Sequence, residues 1–290
     1  MQSPRFFSNI YNRVKNTFSS KQMAAVDMWT MCYNSLSDKD SERAIPYATV
    51  TDLHTGEQWV SGKDGYIKTN LEVGRKLSLM FNASAEYPDT QTATVTVPKE
   101  GLTGRDNEIT FQVPSDWLYH VLKKSFGEYK EGHCHVVTTV QEYGKNMHDD
   151  DGLAGAKAKL ISEKDNKVLD TDMYLGQIGK YTEWFRPLIA NGISSLSKAF
   201  NDKKLIKPVR TIVDKISEFG EDLKCKSTSH DGAAIFFNVP QGEYKLVAEK
   251  QGVEFTSSRI EVLPNSPVLI NVSPPQSPRE IKKSYFSNKA

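Results

Sequence analysis

The chain is poor in cysteine. Cys32, Cys134 and Cys225 are the only three in 290 residues; they lie far apart and form no Cys-x-x-Cys pair. A scattered, odd-numbered set excludes a disulfide scaffold and fits a reducing compartment. No run approaches the roughly 18 apolar residues of a membrane-spanning helix. Neither sign of charge dominates. The 37 Lys and Arg stand against 36 Asp and Glu, a formal +1, so the sequence gives no support to a global nucleic-acid-binding field. Also missing are a Gly-x-Ser-x-Gly elbow, a glycine-rich phosphate loop and a Gly-x-x-x-x-Gly-Lys-Ser/Thr run. The best-marked routes to hydrolase and nucleotide chemistry go with them. What is there is 38% hydrophobic and 25% charged residues, enough for packed cores. At roughly 100–200 residues per domain the length allows two or three domains.

Along the chain the pattern changes several times. The first 22 residues carry Arg5, Arg13, Lys15 and Lys21 and no acid, with Phe7, Ile10, Tyr11, Val14 and Phe18 at helical spacing. Ser8, Asn9, Asn12, Arg13 and Asn16 interrupt any apolar run, so a secretory leader is not expected. Met23 to Tyr33 reads as a second apolar helical stretch, and 1–40 as a helical arm and linker. From 41 to 114 short alternating segments take over. Tyr47–Asp52, Trp59–Val60, Tyr66–Ile67, Leu77–Phe81, Thr92–Val97 and Ile109–Val113 read as strands, with turns at His54–Glu57 and Gly62–Gly65. This predicts a β-sandwich of immunoglobulin-like size. Ser115 can cap a helix whose face carries Leu118, Val121, Leu122 and Phe126, a spacer over 115–132. A second sandwich is expected over 133–273. Its strands are Val136–Tyr143, Ala156–Ser162, His230–Val239, Tyr244–Ala248, Phe255–Val262 and Val268–Val272. A helical insertion, 173–224, interrupts it. Within the insertion Pro208 suits a first helical turn, Val209, Ile212, Val213, Ile216 and Phe219 form one face, and Gly220 is a stop. Residues 274–290 read as a basic, proline-rich tail. The fold class is therefore mainly β with helical additions.

The two sandwiches share a grammar. The first has Val50-Thr51-Asp52, Thr55-Gly56-Glu57, Lys63-Asp64-Gly65-Tyr66 and Ile109 through Pro114. The second has Gly155 through Leu160, Asp165-Asn166, His230-Asp231-Gly232-Ala233 and Phe237-Asn238-Val239-Pro240-Gln241-Gly242-Glu243-Tyr244. The Asp-Gly pairs allow positive φ in tight turns. The Val-Pro-x-Gly-Glu-Tyr run ends one strand and starts the next with an aromatic. This grammar resembles the carboxypeptidase regulatory-like domain, a transthyretin-like or prealbumin-like β-sandwich, over 45–114 and over 133–172 with 225–273. The second copy is the closer one. Between the corresponding turns the second copy holds about 57 more residues than the first, and a loop of that length is usually functional or its own subdomain.

Candidate chemistry is thin. His54-Thr55-Gly56-Glu57 carries the letters of a His-x-x-Glu zinc pair, but it is the turn of a small hairpin without a third ligand. His133 and His135 fall on one side of a strand and His148 follows before Asp149–Asp151. A polar strand edge with a solvated acidic turn is the preferred reading of these, and no metal is assigned. Asp149–Asp151 lacks the spaced oxygen ligands of a calcium loop. Ser194, Ser195 and Ser197 have no histidine nearby. Cys225, between Lys224 and Lys226, could be an activated thiol but reads better as an inert one.

No catalytic residue and no cofactor are expected. Two sandwiches, an insertion and terminal arms read as a non-enzymatic structural or adaptor subunit of a larger assembly. The sandwiches act as spacers, and contacts with other protein subunits, homo-oligomeric ones among them, run through Phe7, Ile10, Tyr11, Val14, Phe18, Ile212 and Ile216. No nucleic acid and no membrane span are involved. The resemblance implies modules of bacterial surface proteins, phage tails, baseplates and injection spikes. Free thiols and no leader favour cytoplasmic assembly into a virion or injection apparatus. Two alternatives stand beside this: an effector or toxin acting through the insertion, and a carbohydrate-binding or adhesin module using Trp59, Trp117 or Trp184.

Overall fold

The computed structural model describes residues 21–32, 40–83, 87–104, 107–115, 119, 128–140, 153–174, 227–228, 233–253 and 255–272. They form seventeen strands and one helical turn, Asp40–Arg43. In the first lobe these are β1 (Met23–Cys32), β2 (Thr49–Asp52), β3 (Gln58–Val60), β4 (Tyr66–Glu72), β5 (Lys76–Leu77), β6 (Leu79–Asn82), β7 (Thr90–Gln91), β8 (Val95–Thr96) and β9 (Ile109–Val113). In the second they are β10 (His133–Thr139), β11 (Lys157–Ser162), β12 (Val168–Asp170), β13 (Met173–Tyr174), β14 (Ala233–Pro240), β15 (Gly242–Glu249), β16 (Ser258–Val262) and β17 (Leu269–Val272).

The internal repeat is real at the level of strand pairing. In the first lobe β1 lies between β4 (antiparallel) and β9 (parallel), and β3-β2-β6-β7 form the facing strands. In the second, β10 lies between β14 (antiparallel) and β17 (parallel), and β12-β11-β15-β16 face them. The first lobe is three strands against four, the count of an immunoglobulin-constant-type sandwich, with β5-β8 as a further pair; in the second β13 adds a fourth strand beside β14. Alternation along each strand fills the core between the layers. Val26, Met28, Val50, Phe81, Leu102 and Phe111 belong to the first core, and Val136, Leu160, Phe236, Leu246, Ile260 and Ile270 to the second. Each fully buried side chain of this size contributes about 1.5–3 kcal/mol.

Two expectations need correction. The apolar stretch from Met23 is a strand, not a helix, through Cys32, and it is the central strand of the first lobe's smaller sheet. Its second half is buried on both faces, from Met28 to Cys32, so the period-2 signature is erased and Met, Trp and Cys in a row imitate a buried helix. The first sandwich therefore begins at β1 rather than at 41. The insertion also starts later than 173, because Met173 and Tyr174 pair with Ile235 and Ala234. Smaller shifts affect Thr92–Val97, where only Val95–Thr96 is a strand, β8, and β7 ends before it at Gln91.

The lobes are not separate beads. Beside β6, β7 pairs in parallel with β17, Leu269 with Thr90 and Ile270 with Gln91, so one eight-stranded sheet runs β13-β14-β10-β17-β7-β6-β2-β3. Phe81, Thr90 and Leu269 lie on one face of it, and Met80, Gln91 and Ile270 on the other. Phe81 belongs to the first core and Ile270 to the second. The two cores thus sit on opposite faces of a shared sheet.

Candidate functional site

The densest set of polar side chains lies where the lobes meet. On β16 Ile260 and Val262 enter the second core, so alternation turns Glu261 the other way, toward the first lobe. Its side chain is only 5% exposed. Ser78 Oγ donates to Oε2 at 2.7 Å and His54 Nε2 lies 2.9 Å from the same oxygen, while Lys76 pairs with Oε1. Lys76 also reaches Glu243 at 3.4 Å. The backbone joins in. Gln91 Nε2 donates to Glu261 O at 2.7 Å, Glu261 N donates to Thr94 Oγ1 at 3.0 Å, and Thr94 N donates to Arg259 O at 2.9 Å. Burial alone would push the Glu261 carboxyl up. Hydrogen bonds from Lys76 and Ser78 and the charges of Lys76 and His54 outweigh it and hold the group below the usual carboxylate range. Burial likewise works against the Lys76 cation, but the Glu261 and Glu243 carboxylates raise it above the usual lysine value.

The neighbouring turn is pinned from within the first lobe. Asp52 Oδ1 accepts the His54 amide at 3.0 Å, and Oδ2 accepts the Thr55 hydroxyl at 3.0 Å and Arg75 Nη2 at 2.5 Å. Arg75 Nη1 donates to Glu57 at 2.7 Å, and the guanidinium sits 5.8 Å from the Trp59 ring centroid. Burial would lower the Arg75 pKa; hydrogen bonds and charge from Asp52 and Glu57 raise it instead. Gly56, at φ +74°, lets the chain turn here. Across the joint Asn265 Nδ2 donates to Leu53 O at 3.0 Å, Ser266 Oγ to Gln91 Oε1 at 2.6 Å and Asn271 Nδ2 to Gln112 O at 2.8 Å.

This geometry separates the two letters of the zinc-like pair. His54 turns to Glu261 and Glu57 to Arg75. The histidines of β10 are engaged separately as well. His133 Nδ1 lies 3.0 Å from Glu131 O. His135 is buried, its ring edge-on to Tyr129 and Phe237, and its Nδ1 accepts the Asn238 amide at 3.2 Å. Burial pushes its pKa down to about 4, keeping it neutral. Cys134 Sγ donates to Pro267 O at 3.0 Å, and burial pushes that thiol up to about 12, which leaves it unreactive at neutral pH. Among the described residues no three His, Cys, Asp or Glu side chains converge as a metal site. Trp59 is half-buried against the first core, with Arg75 beside its ring. An open groove of about 470 Å³ beside β11 and β15 is bordered by Lys157, Glu249 and Lys250, but Glu249 is paired with Lys159 at 3.0 Å.

The remaining sequence-derived candidates fall outside the described residues: Phe7, Ile10, Tyr11, Val14, Phe18, Trp117, His148, Asp149–Asp151, Trp184, Ser194, Ser195, Ser197, Ile212, Ile216 and Cys225. Sequence reasoning missed Glu261, Lys76 and Ser78 altogether. One signal was present: a lone acid between Ile260 and Val262 in an alternating strand must face away from the core it borders. Nothing in the sequence says that Ser78, 183 positions away, meets it there.

No known family matches the chain, and no curated protein matches it. Among solved structures it can be laid on the TIE protein of Bacillus anthracis at 10% identity and TM-score 0.23, covering 87% of this chain and 34% of that one. A streptococcal ancillary pilin gives 11% and 0.22, over 89% and 63%. The full-length major pilin RrgB of Streptococcus pneumoniae gives 12% and 0.21, over 88% and 48%. The chain spans less than two thirds of each of these proteins. At such scores no common arrangement is defined, and the architecture stands on the chain's own strand pairing.

Proposed function

We propose that this chain is a non-enzymatic structural subunit of a larger protein assembly, in which two fused β-sandwiches form one stiff spacer. The observation that carries this reading is the joint. The lobes share a sheet, and the buried carboxylate of Glu261 is tied to Lys76, Ser78 and His54 of the other lobe. Interfaces between domains that move are ordinarily modest; this one adds backbone pairing of β7 with β17, Thr90 opposite Leu269 and Gln91 opposite Ile270. Five buried or half-buried titratable groups serve structure. Glu261, Arg75 and Lys76 are locked in ion pairs, and His135 and Cys134 are held neutral by burial.

Docking is assigned to the parts that the sandwiches do not need. The chain crosses from one layer to the other at residues 171–172, and the insertion follows, joining β13 to β14, neighbours in one sheet with Tyr174 opposite Ala234. In the first lobe the whole path from β3 to β4 takes residues 61–65 alone. Ile212 and Ile216 on the insertion, and Phe7, Ile10, Tyr11, Val14 and Phe18 on the arm, are the proposed contact positions. The two-copy resemblance to carboxypeptidase regulatory-like domains supports a phage tail, baseplate or injection-machine setting for such a spacer.

The test is light scattering coupled to size exclusion, on the pure chain and on a lysate of its natural host. An assembly subunit migrates in a large particle in lysate, and deleting 1–20 releases it while both lobes stay folded. A chain that remains a monomer in lysate, or that binds glycans on an array, overturns the reading.

A further inference from the structure

A sheet edge with open backbone groups is a template for another strand. Among the described residues most edges are short or occupied. β3 and β12 hold three residues each, and β5, β8 and β13 two. β9 and β16 meet the neighbouring lobe, where Asn271 Nδ2 donates to Gln112 O and Thr94 N to Arg259 O. β4 is the exception. It has seven residues, Tyr66–Glu72, and among the described strands it pairs with β1 alone, in unbroken register. It carries no proline, no bulge and no charge turned toward the core, the usual devices that blunt an edge.

The phase of the ladder decides which groups are open. Thr30 N donates to Gly65 O at 3.0 Å and Val73 N to Gln22 O at 2.8 Å, which marks these as hydrogen-bonded pairs. Counted by twos along the register, Ile67, Thr69 and Leu71 turn their backbone groups to β1, and Lys68, Asn70 and Glu72 turn theirs to the open side. The ends of the strip are closed by turns. Tyr66 N donates to Asp64 Oδ1, Gly62 N to Tyr66 O, and Arg75 N to Glu72 O, a carbonyl that keeps a second lone pair. Side chains follow the same alternation. Ile67 and Leu71 enter the first core, while Lys68 and Asn70 are exposed and the Glu72 side chain is 40% exposed.

This strip is self-complementary. Consider β4 paired antiparallel with a second copy of itself. A twofold axis at Lys68 sets lysine against lysine, and one at Glu72 sets glutamate against glutamate; both are unfavourable. Axes at Thr69 or Leu71 pair only two of the three open positions and no opposite charges. At Asn70 the two asparagines meet, and each Lys68 faces Glu72 of the other copy. Neighbours in the same chain extend the pattern. Asp27 stands opposite Lys68 on β1, and Lys21 reaches Glu72 at 2.5 Å, so acid and base alternate across the joined sheets.

We propose that β4 is a homotypic docking edge: two copies of the chain pair antiparallel through Lys68, Asn70 and Glu72, about a twofold axis at Asn70. The product is one six-stranded sheet, β9-β1-β4 continued by β4-β1-β9 of the second copy, an isologous contact. It is separate from the arm and the insertion. Three open residues a side make a small contact, so the dimer forms and parts with concentration.

Sedimentation equilibrium of the full chain, up to about 1 mM, the weak end of specific affinities, should show monomer and dimer in exchange. Asn70→Pro removes an outward N–H and no bond to β1, a change that an edge strand tolerates. It should raise the dimer Kd at least about tenfold with the melting temperature unchanged. Charge reversal tests the register. Lys68→Glu and Glu72→Lys should each weaken the dimer, and the double variant should restore it. A monomer at every concentration overturns the proposal, and so does a dimer indifferent to Asn70→Pro. Should that variant fail to fold, the charge series decides alone, and a double variant that stays as weak as the single ones overturns the pairing at Asn70. The dimer is read on the pure chain, so its absence leaves the assembly reading to its own test in lysate.

Discussion

β1 and β10 hold the same place in their lobes, each between an antiparallel and a parallel neighbour. The strands around them differ in what they were made to carry. The first lobe crosses between its layers through residues 61–65, and it gathers charge at one tip, where Arg75 pairs with Asp52 and Glu57 and Lys76 reaches Glu261 of the neighbouring lobe. The second crosses at residues 171–172 and carries its extra length, 175–232, between β13 and β14 of one sheet; on β10 His135 accepts the Asn238 amide and Cys134 donates to Pro267 O. One strand plan tolerates both because loop-closure entropy grows only with the logarithm of length. The plan fixes the layers and leaves the connection into β14 free to grow.

The largest test of this comparison asks whether the lobes melt as one. Phe81→Ala and Phe236→Ala each remove a fully buried ring and should cost about 3–5 kcal/mol. With a shared sheet, calorimetry should show a single transition that either variant lowers. Two transitions, only one of them moved, would break the claim of a fused unit.

Next in size is the acid response of the second lobe. His135 has a pKa depressed to about 4, against about 6.5 when unfolded. Its contribution is complete above the unfolded value. Between about 6.5 and 4 the unfolded chain binds a proton that the native chain refuses. Stability there falls by up to about 1.4 kcal/mol per pH unit as pH drops. Urea unfolding at pH 7 and pH 5 should differ by roughly 2 kcal/mol, and His135→Gln should flatten the difference. An unchanged slope in that variant would assign the acid response to another group.

The joint comes third. Glu261→Leu strands His54 and Lys76 and should cost roughly 2 kcal/mol, less than a fully buried pair because Lys76 can rehydrate. The depressed Glu261 carboxyl contributes stability that is present above the unfolded value, about 4.3, and is lost as pH falls through the lower native value. The joint should therefore survive pH 5, where His135 is already costing stability, and fail only in stronger acid. Interlobe distance measured by spin labels across a pH series separates the two events; loosening already at pH 6 would contradict the Glu261 assignment.

The smallest effects compare two glycines. Gly155 has φ +77° and open space where a Cβ would go, so Gly155→Ala should cost about 1 kcal/mol from backbone conformation alone. Gly101, at φ +81°, would set its Cβ 2.4 Å from Ala25 O on β1. Gly101→Ala should cost clearly more, and equal melting shifts for the two variants would show that β1 gives way at no cost.

By itself the sequence determined the strand-rich class, the second lobe's repeating grammar and most strands with one exposed face. Lys157–Ser162 and Gly242–Glu249 alternate because water wets one side of them. It also placed the turn between β11 and β12, since turn residues such as Asp165 and Asn166 are chosen locally, Asn166 taking φ +56°. β1 escaped because burial on both faces removes the alternation that identifies a strand. The joint escaped for a different reason. Glu261, Ser78 and Gln91 are ordinary residues in their own strands, and their partnership exists only because β7 pairs with β17. Pairing between segments nearly 180 positions apart leaves no local period to read. Only the tertiary structure decided that two sandwiches with separate cores are one body, because a sheet edge is completed by whichever edge the fold brings beside it.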